Sequence, residues 1–325
     1  TLAAAGLDAS VVGNHEFDKG WADLRDRVIP RYAEKTDTDG GQYALGANVY
    51  RTGTDSPALD EYFIKEIDGV RVGVIGTVLD QEAMIKLVNS TGISDLRFGN
   101  PLEAVNRVAG ELSDGSESNG EADVIVVLAH DGAGPEVAAD CDAIAASTGT
   151  FGELVNGADA SVDAILTAHT HAVYDCAFPV EGKSFARPVV QASEFTKALA
   201  RLELTYDRSE GEVVAATSEV LPLTKSNTPI YPAKPEVANL VSAAVADAQV
   251  IGAVPIGAIS GDIRRGGPTG ADRSVESSAG NFVADVQLWA TSRNPAFGGD
   301  QPSQIAIMNP GGVRTDLLFA GDTSS

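Results

Sequence analysis

Ser10-Val11-Val12-Gly13-Asn14-His15-Glu16-Phe17-Asp18 runs from an apolar strand into a Gly turn, then presents an amide, an imidazole and a carboxylate together. Read as the carboxyl end of a strand, the stretch puts Asn14, His15 and Asp18 where open α/β sheets keep their ligands. An amide oxygen is a hard donor suited to a divalent cation. An imidazole beside it can bind metal or move a proton, and a carboxylate three residues on can hold that ring's other nitrogen. A strand ending in a Gly-Asn turn is also ordinary loop chemistry, so the rest of the chain must decide.

The histidines decide it. There are only four. His130 follows Val124-Ile125-Val126-Val127-Leu128-Ala129, while His169 and His171 follow Val162-Asp163-Ala164-Ile165-Leu166-Thr167-Ala168. Each run reads as a strand buried on both faces, of the kind found in parallel sheets, so each histidine falls at a strand's carboxyl end. Three strand ends therefore point at one rim.

Imidazole, amide and carboxylate donors suit Zn, Mn, Fe or Co, whereas Ca or Mg would take oxygen alone. In His169-Thr170-His171 the two rings flank a Thr on an irregular turn, a spacing that lets them face two adjacent ions. Paired ions roughly 3.5–4 Å apart clamp the attacking and leaving oxygens of an in-line displacement, as in phosphatases. The chemistry indicated is metal-assisted hydrolysis.

Gly13-Asn14-His15-Glu16-Phe17-Asp18, His130-Asp131-Gly132 and Ala168-His169-Thr170-His171 resemble three successive motifs of the calcineurin-like metallophosphoesterases, specifically the 5′-nucleotidase family. Glu276-Ser277-Ser278-Ala279-Gly280-Asn281-Phe282-Val283-Ala284-Asp285 and Asn309-Pro310-Gly311-Gly312-Val313-Arg314 resemble that family's C-terminal nucleotide-binding domain. The resemblance implies an α/β fold: a partial four-layer α/β/β/α metallophosphoesterase-like sandwich lacking its N-terminal strands, with a second, smaller α/β domain. It implies a metallophosphoesterase domain over 1–223, a linker and connecting helix over 224–250, and an incomplete nucleotide-binding domain over 251–325.

Carried over residue by residue, the resemblance makes Asn14, His130 and His169 ligands of one ion and His171 a ligand of the other. His15 matches the catalytic imidazole and Asp18 the carboxylate that holds it protonated and oriented. Arg273, Asn309, Gly311, Gly312 and Arg314 match substrate-binding positions. The implied activity is release of phosphate from nucleoside 5′-monophosphates, in nucleotide catabolism. The same metal site also serves 2′,3′-cyclic-nucleotide phosphodiesterases and nucleotide-sugar hydrolases, and a catalytically inactive nucleotide-binding surface protein is the reading outside the enzyme class. The family's opening Asp-x-His and its following Gly-Asp would precede Thr1, and its base-stacking aromatics would follow Ser325. The chain is therefore expected to be an interior part of a two-metal parent, to hold at most one well-occupied ion, and to be weak or inactive alone.

Composition bounds the partners. Asp and Glu number 46 against 23 Lys and Arg, a formal charge of −23, so bulk attraction to a nucleic acid polymer or an anionic membrane is not expected. A nucleotide must be captured locally, by cations and particular arginines. No apolar run approaches the roughly 20 residues of a membrane span. Cys141 and Cys176, each soon after a histidine motif, are either a disulfide or two unrelated buried thiols. A disulfide implies an oxidising compartment, in keeping with a secreted, periplasmic or cell-surface protein.

Periodicity and punctuation supply the remaining elements. Leu2 to Leu7 reads as a helix tail with a Gly cap, and Trp21 to Glu34 as a surface helix. Leu45 to Val49 and Val70 to Val78 read as strands, with Asn48 ending its strand by side-chain hydrogen bonding. Asn100-Pro101-Leu102-Glu103 starts a helix running to about Leu112, and Pro135 to Ala146 reads as another. Val189 to Ala192, Ala198 to Tyr206 and Glu212 to Leu221 are expected strands, Thr224 to Pro235 a stiff linker, and Glu236 to Val250 a helix. The basic turn Gly261 to Arg273 leads to a helix from about Glu276, and Ile305 to Met308 is expected to be a strand before the Gly311-Gly312 turn.

Overall fold

The computed structural model describes residues 1–319 apart from 37, 135, 139, 227, 271 and 294–301. The chain divides into two compact units, Thr1–Ser242 and Ala243–Ser325.

Runs rich in Val, Ile and Leu dominate the first unit and form its strands. In chain order these are β1 (Val49–Arg51), β2 (Tyr62–Ile67), β3 (Val70–Val78), β4 (Leu96–Phe98), β5 (Val124–His130), β6 (Val162–Thr167), β7 (Val173–Pro179), β8 (Ala186–Ala192), β9 (Ala198–Asp207) and β10 (Glu212–Pro222). One six-stranded sheet has the order β2-β3-β5-β6-β8-β7. Its β3, β5, β6 and β8 pair in parallel, and β2 and β7 close its edges antiparallel. The runs leading to His130 and His169 are thus interior parallel strands, as their unbroken apolar composition requires.

Alternation splits each interior strand between two cores. Ile125 and Val127 of β5 and Ile165 of β6 pack with Val105 and Val108 of α5 (Pro101–Glu111) and Leu154 and Val155 of α7 (Thr150–Gly157). Val124 and Val126 face the other way, onto Leu202, Leu204, Tyr206 and Val213 of the antiparallel β9–β10 ribbon. The order is helix, sheet, sheet: three layers of the expected sandwich, with every second residue of β9 and of most of β10 partly shielded and its neighbours exposed. A third core gathers Val12, Phe17, Trp21, Met84 and Phe98, in which the Phe17 and Phe98 rings meet edge-on at 5.3 Å.

Local chemistry sets the ends of the helices. Helix α1 (Leu2–Ala5) stops at Gly6, which takes φ 97°, and α5 starts where the Asn100 side chain accepts the Glu103 amide at 3.2 Å. The surface helix after Trp21 is α2 (Trp21–Asp23), a π turn over Leu24–Val28, then α3 (Ile29–Ala33). The wide turn comes just before Pro30, whose ring and missing N–H an unbroken α-helix does not accommodate. Helix α4 (Gln81–Leu87) is capped by Asp80, which accepts from Ala83 N at 2.9 Å.

Three sequence expectations need correction. The helix expected over 135–146 is only α6 (Cys141–Ala145), because Asp140 caps it by accepting the amides of Asp142 and Ala143; Pro135 lies outside the described residues. Ser10–Val12 and Leu45–Val49 form no long ladder, only a parallel bridge between Val11 and Leu45 followed by β1. Here the fully buried Asn48 takes a strand's place: its side chain donates to Val78 O at 2.7 Å and Gly99 O at 3.1 Å and accepts from Val78 N at 3.0 Å. Ile305–Met308 is not a strand. Among the described residues no segment pairs with it, and Ile305 and Ile307 are 79% and 86% exposed.

The stretch from Thr224 to Pro235, expected to be a stiff linker, holds a small hairpin of β11 (Thr224–Lys225) and β12 (Thr228–Pro229). It leads into α8 (Pro235–Gly252). The second unit contains α9 (Ser278–Arg293) and an antiparallel bridge between Ile263 and Leu317.

Two features hold the first unit's carboxyl half together. Arg187, 2% exposed, donates to the carbonyls of Val162 at 2.8 Å, Ala158 at 3.0 Å and Asp159 at 2.5 Å. Cys141 and Cys176 form a disulfide that ties α6 to β7. Truncating Arg187→Ala strands three carbonyl groups, and a loss of about 3 kcal/mol is expected in chemical denaturation. The disulfide closes a loop of 35 residues. Its removal in a Cys141→Ser, Cys176→Ser double variant is expected to lower stability by about 2–4 kcal/mol, read as a fall in the denaturation midpoint that added reductant does not deepen.

Candidate active site

Parallel strands share a direction, so β5 and β6 deliver their last residues to the same edge of the sheet. His130 ends β5 and lies against the turn Asn14–Phe17: its Nε2 is 3.1 Å from Asn14 Oδ1. Asn14 is 4% exposed. The approach depends on Gly13, because a Cβ there would stand 2.5 Å from His130 Cε1. Glu16 fixes the same turn by accepting the Gly13 amide at 2.6 Å.

His169 lies two residues beyond β6, and its ring centroid is 5.2 Å from that of His130. Both His169 (φ 68°) and His171 (φ 61°) have left-handed backbone, a conformation that costs a residue with a Cβ and collects at functional sites. On the opposite flank, His15 Nδ1 and Asp18 Oδ2 are 2.9 Å apart, with side chains 66% and 55% exposed.

Burial, reinforced by the charges of His169, His15 and His171, depresses the His130 pKa to about 4. Burial likewise lowers that of His169, with His171 and His15 adding to it. Both rings are therefore neutral at physiological pH, the form that offers a lone pair to a metal. All four histidines share one rim.

Three side chains that sequence reasoning passed over complete the rim. Gln191, 1% exposed, donates to Ala168 O and accepts from Thr170 Oγ1 at 2.7 Å and Ala172 N at 2.8 Å. One amide thereby clamps the whole His169–His171 turn. The only sequence signal is an amide closing the apolar run Pro188-Val189-Val190. Asp131, buried beside His130, accepts from Gly132 N at 2.8 Å and Thr150 Oγ1 at 3.3 Å; burial raises its pKa to about 6. Glu194 Oε2 lies 2.6 Å from His171 Nδ1. Gly132 lets the two turns close on each other, since a Cβ there would be 2.6 Å from Gln191 Nε2 and 2.7 Å from Ala168 O.

In the second unit, Asn309 caps the turn Pro310–Gly312 by accepting the Gly311 amide at 3.0 Å. Arg273 lies beside this turn, with Nη1 3.4 Å from where a Gly311 Cβ would be. Two neighbours in the basic turn have acidic partners, Arg264 with Asp262 at 2.7 Å and Arg265 with Asp316 at 3.2 Å. Arg314 is exposed.

The donors fit a transition-metal ion in part. An amide oxygen and an imidazole nitrogen 3.1 Å apart have the spacing of neighbouring ligands around an ion held at roughly 2.1 Å, with a second neutral imidazole alongside. Among the described residues, no three His, Cys, Asp or Glu side chains gather tightly enough to hold an ion by themselves. Asn14, His130 and His169 could thus supply part of a coordination shell, not a whole one.

Gly13→Ala tests this packing. Its methyl group must displace the His130 ring, so the variant is expected to lose about 1–3 kcal/mol of stability and to shift the His130 imidazole NMR resonances, while those of His15 stay in place.

Comparison with known proteins agrees with the geometry. The family model described as "5'-nucleotidase, C-terminal domain" matches residues 250–325. Endonuclease YhcR of Bacillus subtilis is 28% identical over 96% of this chain and 23% of its own length. A snake venom 5'-nucleotidase of Gloydius brevicauda is 24% identical over 97% of this chain and 50% of its own length. The crystal structure of a 5'-nucleotidase precursor from Thermus thermophilus superposes with a TM-score of 0.60 at 26% identity, covering 91% of this chain and 53% of that one. The chain thus spans about half or less of these relatives. Residues 250–325 thus match the 5'-nucleotidase C-terminal domain, and the chain as a whole is similar in sequence and fold to 5'-nucleotidases.

Proposed function

We propose that this chain carries the catalytic rim and part of the nucleotide-binding domain of a metal-dependent phosphohydrolase that releases phosphate from nucleoside 5′-monophosphates. The observation that carries the reading is the meeting of Asn14, His130 and His169 at one sheet edge, flanked by the His15–Asp18 pair.

Asn14, His130 and His169 would hold one divalent ion, Zn, Mn, Fe or Co, and His171 would face a second. When bound, such ions place positive charge against phosphate oxygens and lower the pKa of a water molecule. The chain's own residues supply the rest. His15 stands exposed at the rim, where a substrate can reach it, and its Nδ1 is engaged by Asp18. That carboxylate accepts from Nδ1–H and orients the ring, so that Nε2–H can donate to the ester oxygen as the bond to phosphorus breaks. Burial of His130 and His169 keeps protons off them while His15 stays in water. Arg273, with its planar fork, and Asn309 would take the nucleotide's oxygens, with Arg314 a further arm carried by the Gly311-Gly312 turn. On a chain of charge −23, such local cations are what an anionic substrate needs.

The disulfide and the resemblance to a venom enzyme support a secreted, periplasmic or cell-surface location. No described helix is long and apolar enough to cross a membrane. Cyclic-nucleotide or nucleotide-sugar substrates would use the same rim, and comparing them with AMP measures the preference.

The test is phosphate release from AMP, with added Mn or Zn, by a longer protein that carries this chain together with the remaining ion ligands. His15→Ala is expected to lower kcat by about 10²–10⁴-fold with little change in KM, and a chelator is expected to abolish turnover in both proteins. A wild-type longer protein that binds neither metal nor AMP would remove the reading.

A further inference from the structure

The loop after β8 has an unusual backbone. Ser193 (φ 65°), Phe195 (φ 51°) and Thr196 (φ 55°) are all left-handed, although none is glycine and Thr196 is β-branched. Such a conformation persists only where the surroundings fix it, and it collects where a side chain must be aimed. This loop is anchored to the histidine turn, since Ser193 N donates to Ala172 O at 2.9 Å, next to the Gln191 clamp. What it aims is Glu194. Its Oε2 sits 2.6 Å from His171 Nδ1, while Lys197 Nζ holds the other carboxylate oxygen at 2.8 Å. The Phe195 ring closes against His171 at 5.7 Å.

We propose that Glu194 is a positioning residue for His171: its carboxylate accepts a hydrogen bond from Nδ1–H, fixes the ring's orientation and its less common tautomer, and leaves Nε2 as a bare donor for a metal ion. A metal-binding histidine needs one nitrogen free, and the hydrogen bond made by the other decides which. Lys197 holds the carboxylate's other oxygen and so keeps the group in place. The left-handed loop is the device that brings an acidic side chain to the far side of a ring for which sequence spacing alone would not have suggested a partner.

The inference rests on the proposed metal-dependent function for its purpose, but not for its first test. Nitrogen-15 NMR of the metal-free protein at a pH of about 8.5, where ordinary imidazoles are neutral, reads the tautomer directly. Wild-type His171 is expected to carry its proton on Nδ1, and Glu194→Ala to shift it to Nε2. A wild-type ring protonated on Nε2, or a tautomer indifferent to Glu194→Ala, overturns the proposal. Zn²⁺ titration by calorimetry of a longer protein, carrying this chain together with the remaining ligands of the second ion, is the second arm: Glu194→Ala is expected to weaken one of its two sites by about 10–100-fold, and two unchanged affinities overturn the positioning role. Should wild type bind no Zn²⁺ at all, the phosphohydrolase reading fails while the tautomer still decides what Glu194 does.

Discussion

Parallel pairing of β3, β5, β6 and β8 is the constraint on which the molecule depends. Strands that run the same way end at the same edge, and each must be shielded on both faces. The sequence meets the second requirement with α5 and α7 on one side and the β9–β10 ribbon on the other. The first requirement then brings His130, at the end of β5, and His169, just beyond β6, to one edge, where their ring centroids lie 5.2 Å apart. No single loop could make that contact precise. The sheet makes it repeatable, because the register of β5 on β6 fixes where the chain leaves each strand.

The rim itself is held by groups that do no chemistry. Gln191 stitches the His169–His171 turn to β8, Gly13 and Gly132 give up side chains so that neighbours can close in, and Glu16 locks the turn that carries Asn14. A polar amide buried in an apolar strand is costly unless all its hydrogen bonds are made. At Gln191 the oxygen has two donors and the nitrogen an acceptor.

Sequence was informative where composition and topology coincide. Val124 to Ala129 reads as an interior strand because both its faces are apolar, and only a parallel sheet buries both. Asn100-Pro101 marks a helix start because cap and proline each have a local physical preference. The failures have a common cause. Ile305 to Met308 has strand composition, but a strand exists only with a partner, and composition does not say whether one is present. Leu45 to Val49 looked continuous, yet Asn48 substitutes a side chain for the ladder. Pro135 suggested a helix start that Asp140, five residues on, supplies. Cys141 and Cys176 left two outcomes open until the structure joined α6 to β7. At the rim, the histidines stood out by scarcity, whereas Gln191 and Glu194 are common residues whose importance is a matter of where a turn sends them.

The left-handed backbone at His169 and His171 governs how this rim can be dismantled cleanly. A valine or isoleucine placed at either position would have to bear a strained main chain, and lost function could then be blamed on the turn. Asparagine adopts that region readily, so it removes the ring while sparing the path of the chain. The same geometry narrows what any descendant sequence can put there: small, flexible or amide-bearing residues fit with little strain, and branched ones are disfavoured by the backbone before chemistry has a say.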